Sequence, residues 1–113
     1  MAFGEEIREL ISKPGFREFS NSIVVDLFYA EIEDDPFPTP QEAEVWFQLG
    51  KVRRAAFVPL LWVDKDRKTA KAALLGESGG EILVSFPPTN FGQTRFYARK
   101  EELEKIAANS LTE

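Results

Sequence analysis

The groups of this chain that could do chemistry are carboxylates, lysines, tyrosines and backbone amides, because it contains no histidine and no cysteine. Histidine is the usual general base near neutral pH and the commonest metal ligand. Its absence excludes serine–histidine–aspartate and cysteine–histidine nucleophiles. The absence of cysteine excludes disulfides, thiolate-bound zinc and thiol catalysis. We therefore expect a protein that is not an enzyme, with no catalytic residue and no cofactor.

The acidic residues give no pattern that is specific for a metal. Asp64 and Asp66 have the Asp-x-Asp spacing of some sites for hard cations, but Lys65 and Arg67 alternate with them and no third acid is near in sequence. A denser acidic group consists of Glu31, Glu33, Asp34 and Asp35. Such a group before a loop is commonly a solvated face, so we predict no metal site.

Basic residues are concentrated in the second half of the chain. The net charge is −5, yet residues 51–100 hold ten basic and four acidic side chains. Cations on a sheet can follow phosphates, and exposed aromatic rings can stack on bases. The predicted nucleic-acid contacts are Arg53, Arg54, Lys65, Arg67, Lys68, Lys71 and Arg95. The alternative is a purely structural role, in which the rings belong to the core and the cations are solvated. The sequence also carries no motif of a known nucleic-acid-binding domain. Single-stranded nucleic-acid binding is therefore the second hypothesis.

Two proline-rich segments are typical of preformed contact loops. Residues 35–40 hold Phe37 between prolines, and residues 86–92 hold Phe86 and Phe91 around a Pro-Pro pair. Prolines reduce the entropy lost when a loop is ordered by a partner, and aromatic rings are enriched at interfaces. The alternative is that these rings fold back onto the core. The predicted contact residues are Phe37, Trp62, Phe86 and Phe91.

The charge distribution favours association with a protein. Residues 1–50 hold three basic and eleven acidic side chains, whereas residues 51–113 hold eleven basic and eight acidic ones. Two complementary faces can meet across a two-fold axis. We therefore expect a non-enzymatic interaction domain whose partner is itself, as a homodimer, or another protein. The contact would use the aromatic loops or an edge strand that bears Pro59.

Length and hydropathy predict one domain, residues 1–113, with a core of its own. The longest apolar run, residues 55–63, is far shorter than the ~20 residues that cross a bilayer. The first residues do not have the basic and apolar regions of a secretory signal. We predict no membrane partner and a cytoplasmic location.

The elements that must position these residues are read from hydrophobic periodicity. Residues 1–13 predict an amphipathic helix, and residues 99–109 predict a second one at the other end. Residues 22–33 predict a strand, with a helix as the alternative. Residues 40–52 predict a middle helix, because Thr39 and Pro40 resemble a helix start. The alternation of Ala43, Val45, Phe47 and Leu49 would fit a strand instead.

The rest of the second half predicts strands at 56–63, 69–75, 81–86 and 93–98, separated by polar and glycine-rich turns. Strands joined so closely favour an antiparallel meander. The predicted fold class is therefore α+β: a small antiparallel sheet of about three to five strands packed with N-terminal, middle and C-terminal helices.

Overall fold

A computed structural model describes residues 3–34, 41–90 and 92–109, and most of them lie in β-strands. Two short helices stand near the two ends of the chain. In chain order the elements are α1 (Phe3–Ile11), β1 (Arg17–Phe28), β2 (Glu31–Asp34), β3 (Glu42–Leu49), β4 (Val52–Pro59), a 3₁₀ turn (Leu60–Trp62), β5 (Val63–Asp64), β6 (Thr69–Ser78), β7 (Glu81–Ser85), β8 (Arg95–Arg99) and α2 (Lys100–Ile106).

The strands form two antiparallel sheets. Sheet A has the order β1-β6-β7-β8, and the short β5 pairs with the first two residues of β6. Sheet B has the order β2-β3-β4, so β4, which ends at Pro59, lies at its edge. The pairing of β1 with β6 is the one long crossover, and every other ladder joins strands that follow one another closely in sequence.

The core lies between the inner faces of the two sheets. Along β3 and β6 buried side chains alternate with less buried ones, as the pleat of a strand requires, whereas residues 82–85 of β7 are all buried. The largest fully buried side chains are Phe47, Phe86, Leu27, Leu74, Leu83, Leu103, Val25, Val45, Val58 and Val84. Phe86 stacks on Phe47 and also contacts Phe96, so three rings join sheet A to sheet B.

The prediction of an α+β fold with a middle helix is wrong. Residues 42–49 form β3, the central strand of sheet B, and Ala43, Val45, Phe47 and Leu49 are all buried on its inner side. Two-residue periodicity therefore outweighs the resemblance of residues 39–42 to a helix start. Two sheets packed face to face replace the single sheet covered by three helices.

The strand predicted for residues 22–33 is confirmed, but it is divided between the two sheets. β1 ends at Phe28, and the Ala30 N–H already donates to the Trp46 carbonyl in sheet B at 2.7 Å. The strand predicted at 56–63 begins earlier and ends at Pro59, after which the chain forms the 3₁₀ turn. The N-terminal and C-terminal helices are confirmed, although α2 is shorter than its predicted range.

Helix α1 and the turn after it cover one half of the outer face of sheet A. The Tyr97 hydroxyl donates to the Leu10 carbonyl, and Lys13 Nζ lies 4.2 Å from the centre of the Tyr97 ring. The Phe16 ring packs against Gly76 so closely that an added Cβ would come within 2.5 Å of it. Leu83 is completely buried on this outer face. The other half of the face lies open, and it is bordered by the 3₁₀ turn.

Neither α1 nor α2 has the length and apolar character that crossing a bilayer requires, and the part of the chain that the structure describes has no further α-helix.

Candidate interaction surface

The open half of the outer face of sheet A consists of three rows of side chains. Residues directly opposite each other on paired strands point to the same face. The first row is Phe28, Thr69 and Asp64, the second is Asp26 and Lys71, and the third is Val24, Ala73, Ser85 and Arg95. We call these rows, together with the 3₁₀ turn and the turn at residues 64–67, the Trp62 face.

Exposed apolar side chains are concentrated on this face. Of the six large hydrophobic residues that are exposed in the described part of the chain, four lie here: Val24, Phe28, Leu61 and Trp62. Leu61 is 87 % exposed and Trp62 41 % exposed. Single exposed hydrophobic residues are common on any protein, but a group of them on one face indicates a contact surface.

Trp62 stands between two grooves and lines both of them. The polar groove has a volume of about 390 Å³ and includes Asp26, Leu61, Arg67 and Lys71. The apolar groove has a volume of about 210 Å³. The floor of the apolar groove is made by small residues such as Ala73 and Ser85, and its walls by Val24, Trp62, Pro87 and Gln93. The apolar groove is smaller than a typical small-molecule site but has room for an inserted side chain.

The polar groove is electrically balanced. Lys71 Nζ lies 3.0 Å from one oxygen of Asp26, and an Arg67 nitrogen lies 4.0 Å from the other. Asp64 Oδ1 accepts the Arg67 backbone N–H at 3.1 Å, which fixes the turn. The charged residues that line the groove are three acids and three cations: Asp26, Asp64, Asp66, Lys65, Arg67 and Lys71.

Gln93, which lines the apolar groove, is bonded to a guanidinium that is only partly hydrogen-bonded. Gln93 Nε2 donates to Ser85 Oγ at 3.3 Å and to the Phe86 carbonyl at 2.9 Å, and these bonds orient its side chain. Gln93 Oε1 then accepts a hydrogen bond from Arg95 Nη2 at 2.5 Å. The other two nitrogens of Arg95, Nε and Nη1, are shielded from water and make no hydrogen bond. Burying polar nitrogens without partners is costly, so this end of the Arg95 side chain lowers the stability of the fold.

The seven cations predicted to contact nucleic acid lie at separate places. Lys65, Arg67 and Lys71 line the polar groove, and Arg95 is bonded to Gln93, which lines the apolar groove. Lys68 adopts a left-handed turn conformation with φ of 59°, and its carbonyl accepts the Tyr29 N–H.

The remaining two predicted cations belong to sheet B. Arg53 lies 3.2 Å from Glu31 and 5.3 Å from the centre of the Trp46 ring. Arg54 lies over the Phe96 ring at 5.7 Å. The structure therefore brings together three of the seven cations, in a groove that also holds three aspartates.

The four predicted contact residues have different positions. Trp62 lies at the centre of the exposed face described above. Phe86 is 1 % exposed and belongs to the core, because its ring is held between Phe47 and Phe96. It also lines the apolar groove, but its side chain has almost no accessible surface there. Phe37 and Phe91 lie outside the described residues.

Sequence reasoning missed Val24, Phe28 and Leu61. Val24 and Phe28 carry a usable signal, because they have the phase opposite to the buried Val25 and Leu27 of the same strand. A strand with hydrophobic residues in both phases has one set left for a second contact. Leu61 carries no such signal, since it is part of a continuous apolar run from residue 55 to residue 63.

Two ionisable groups outside this face are relevant to stability. Glu42 is only 5 % exposed; its Oε2 accepts the Asn90 backbone N–H at 2.8 Å, and its Oε1 has no hydrogen-bond partner. Burial raises the pKa of Tyr97 above its ordinary value, and the nearby Lys13 opposes this shift.

Within residues 3–34, 41–90 and 92–109, no three acidic side chains converge to hold a metal ion.

Comparison with known proteins gives no match: no family model, no curated protein and no solved structure corresponds to this chain.

Proposed function

We propose that this chain is a non-enzymatic interaction domain that self-associates as a homodimer through the Trp62 face. The observation that carries the proposal is the gathering of Val24, Phe28, Leu61 and Trp62 on one open half of a sheet whose other half is already covered by α1. Removing such side chains from water stabilises a complex by about 25 cal/mol for each Å² of apolar surface buried.

The balanced charge of the polar groove supports a second copy as the partner. A two-fold interface brings the same patch of both subunits together, so a patch of one sign would repel its copy. Here Asp26, Asp64 and Asp66 stand among Lys65, Arg67 and Lys71, and each acid of one copy can meet a cation of the other. A strongly acidic or strongly basic partner would meet three like charges in this groove.

The proposal is tested by the mass of the protein in solution. Sedimentation velocity from about 1 to about 200 µM, a range that brackets a micromolar dissociation constant, would give a dimer at the upper end. Leu61→Asp should shift the protein to the monomer, because it places a charge in the centre of the apolar contact. Val52→Asp is the matched control, since Val52 is also exposed but lies on β4 of the other sheet. A monomeric wild-type protein throughout this range would overturn the proposal.

The predicted contact loops are a competing location for the same association. Phe37→Ser combined with Phe91→Ser should leave the dimer intact if the Trp62 face is the interface. A monomer produced by this double variant, together with a dimer that survives Leu61→Asp, would assign the contact to the loops. A dimer that survives both sets of changes would have to use another surface, such as β4 at the edge of sheet B.

Single-stranded nucleic-acid binding stays a second hypothesis, because Trp62 lies in one groove with Lys65, Arg67 and Lys71. The three aspartates of that groove reduce its attraction for a phosphate backbone. Fluorescence anisotropy of a labelled single strand at about 50 and about 200 mM salt separates the two hypotheses. Binding that weakens steeply with salt and is lost in Trp62→Ala would support nucleic-acid binding, and no binding at low salt would remove that hypothesis.

A cytoplasmic location also stays a proposal, to be checked with a fluorescent fusion of the chain.

A further inference from the structure

We infer that in the homodimer Arg67 of each copy binds Asp66 of the other copy, so that two reciprocal ion pairs form where the polar grooves meet. This inference rests on the proposed self-association through the Trp62 face. It goes further, because it names the polar contact that sets the direction of the two-fold axis across that face.

The guanidinium of Arg67 makes no hydrogen bond within the part of the chain that the structure describes. Asp26 Oδ2 lies 4.0 Å from it, beyond hydrogen-bond distance, and the other oxygen of Asp26 accepts a hydrogen bond from Lys71 at 3.0 Å. The Arg67 side chain is 57 % exposed, so a carboxylate from outside can reach it. An arginine gains from such a carboxylate, because the hydrogen bonds are charge-assisted and the shapes of the two groups match.

Asp66 is the acid of the polar groove that has no charged partner. It lies exposed in the turn between β5 and β6 and makes no ion pair among the described residues. The other two acids are engaged, since Asp26 contacts Lys71 and Asp64 accepts the Arg67 backbone N–H. Asp66 can therefore bind a cation of another molecule without giving up an ion pair of its own.

The turn that carries both residues is ordered before association. Asp64 Oδ1 accepts the Arg67 backbone N–H at 3.1 Å, and Lys68 follows in a left-handed conformation with φ of 59°. A turn that is already ordered loses less entropy when a partner binds it. Both residues lie beside the polar groove, so they stand at the place where the charges of the Trp62 face are concentrated.

A two-fold axis that runs along the Trp62 face through the polar groove brings this turn against its own copy. In an isologous interface residue i contacts residue j and j contacts i, so one approach of the turns forms the contact between Arg67 and Asp66 twice. The same axis sets the apolar groove of one copy against that of the other. An axis that set polar against apolar groove would bury charges against apolar side chains, which is costly.

A charge exchange tests this pairing. Arg67→Asp and Asp66→Arg should each weaken the dimer by about ten- to a hundredfold in Kd, because each places like charges opposite one another. The double variant Asp66→Arg with Arg67→Asp should regain at least about tenfold, because both pairs form again with the charges reversed. Arg99→Asp is the matched control, since Arg99 is an exposed arginine that pairs with Glu101 of its own chain, and it should leave the Kd within about twofold.

A mixture of the two single variants tests whether the contact is reciprocal. The Asp66→Arg chain has two neighbouring arginines in the turn, and the Arg67→Asp chain has two neighbouring aspartates. Each chain repels its own copy, but in the mixed dimer both contacts join opposite charges. Sedimentation velocity of an equimolar mixture, with one variant fluorescently labelled, should therefore give a mixed dimer at least about tenfold tighter than either variant alone.

The outcomes are distinguishable from failure of the proposed function. If the wild-type protein is monomeric, both proposals fall. If it dimerises and is disrupted by Leu61→Asp, but the two single variants leave the Kd unchanged, the pairing is wrong and the interface stands. Weakening without recovery in the double variant and in the mixture also rejects the pairing. Arg67→Gln, which removes the charge and keeps a polar side chain, should still weaken the dimer and replaces Arg67→Asp if that variant does not fold.

Discussion

Phe47 of sheet B and Phe86 of sheet A stack with ring centres 5.4 Å apart and ring planes 23° apart. Both rings are fully buried, so this contact joins the two sheets at the centre of the core. A stacked aromatic pair contributes energy beyond the area that it buries. The stability of the sandwich should therefore depend strongly on Phe86, whereas association should depend on Trp62.

The first prediction separates these two roles. Phe86→Ala should lower the free energy of unfolding by about 3–5 kcal/mol, because it leaves a cavity between the sheets. Trp62→Ala should change it by less than about 1 kcal/mol when measured at a concentration where the protein is monomeric. Urea unfolding followed by circular dichroism measures both values. A stable Phe86→Ala variant that fails to dimerise would return Phe86 to the contact residues.

The second prediction concerns the buried carboxylate of Glu42. Glu42→Ala removes the acceptor of the Asn90 N–H and should cost about 1–3 kcal/mol, because that donor is then left without a partner. Glu42→Gln keeps an oxygen for the same N–H and replaces a carboxylate whose Oε1 has no hydrogen-bond partner. It should cost less than about 1 kcal/mol. Equal losses in the two variants would show that the charge itself is required.

Much of the fold follows from local patterns in the sequence. β6, β7 and β8 follow from apolar segments bounded by glycine-rich and polar turns, and α1 follows from its apolar stripe. The middle of the chain misled the prediction, because the same residues gave both a helix start and an alternating strand. The choice between helix and strand depends on the pairing of β3 with β2 and β4 on its two sides. This pairing is a tertiary contact, which local sequence patterns do not contain.

The candidate surface was harder to predict than the fold. The pairing of β1 with β6 joins residues 17–28 to residues 69–77, and no local sequence pattern predicts this pairing. This crossover brings Val24 and Asp26 beside Lys71 and Trp62. The prediction that Trp62 is a contact residue named one member of the surface. Its neighbours depend on strand order and could not be derived from spacing alone.

The third prediction uses the pKa of Tyr97, which burial raises above its ordinary 10.0 while Lys13 lowers it. The neutral hydroxyl donates to the Leu10 carbonyl and attaches α1 to sheet A. A folded-state pKa above the unfolded one means that this stabilisation is complete below pH 10.0 and is lost as pH rises through the folded pKa. The free energy of unfolding should therefore fall more steeply above that pH in the wild type than in Tyr97→Phe. Parallel pH profiles of the two proteins would contradict the assignment.

The last prediction concerns the edge of β1 that borders the Trp62 face. Asn109 Oδ1 accepts the Asp26 N–H at 2.9 Å, and Asn109 Nδ2 donates to the Val24 carbonyl at 3.3 Å. One side-chain amide thus replaces a peptide group of a neighbouring strand, beside the Ala108 N–H, which donates to the Asp26 carbonyl at 2.8 Å. An uncovered edge would leave these groups free to pair with another chain.

Asn109→Ala should lower the free energy of unfolding by about 1 kcal/mol and should speed hydrogen exchange at the Asp26 amide by about tenfold. The exchange of the core amides of β7 should change only as much as global stability does. Asn21→Ala is the control, because Asn21 is an exposed side chain of the same strand. Exchange at Asp26 that stays as slow as in the wild type would mean that the backbone of residues 107–108 covers the edge without help from Asn109. Such a result would also predict that β1 stays closed to strand pairing in the dimer, since the cover would not depend on a single side chain.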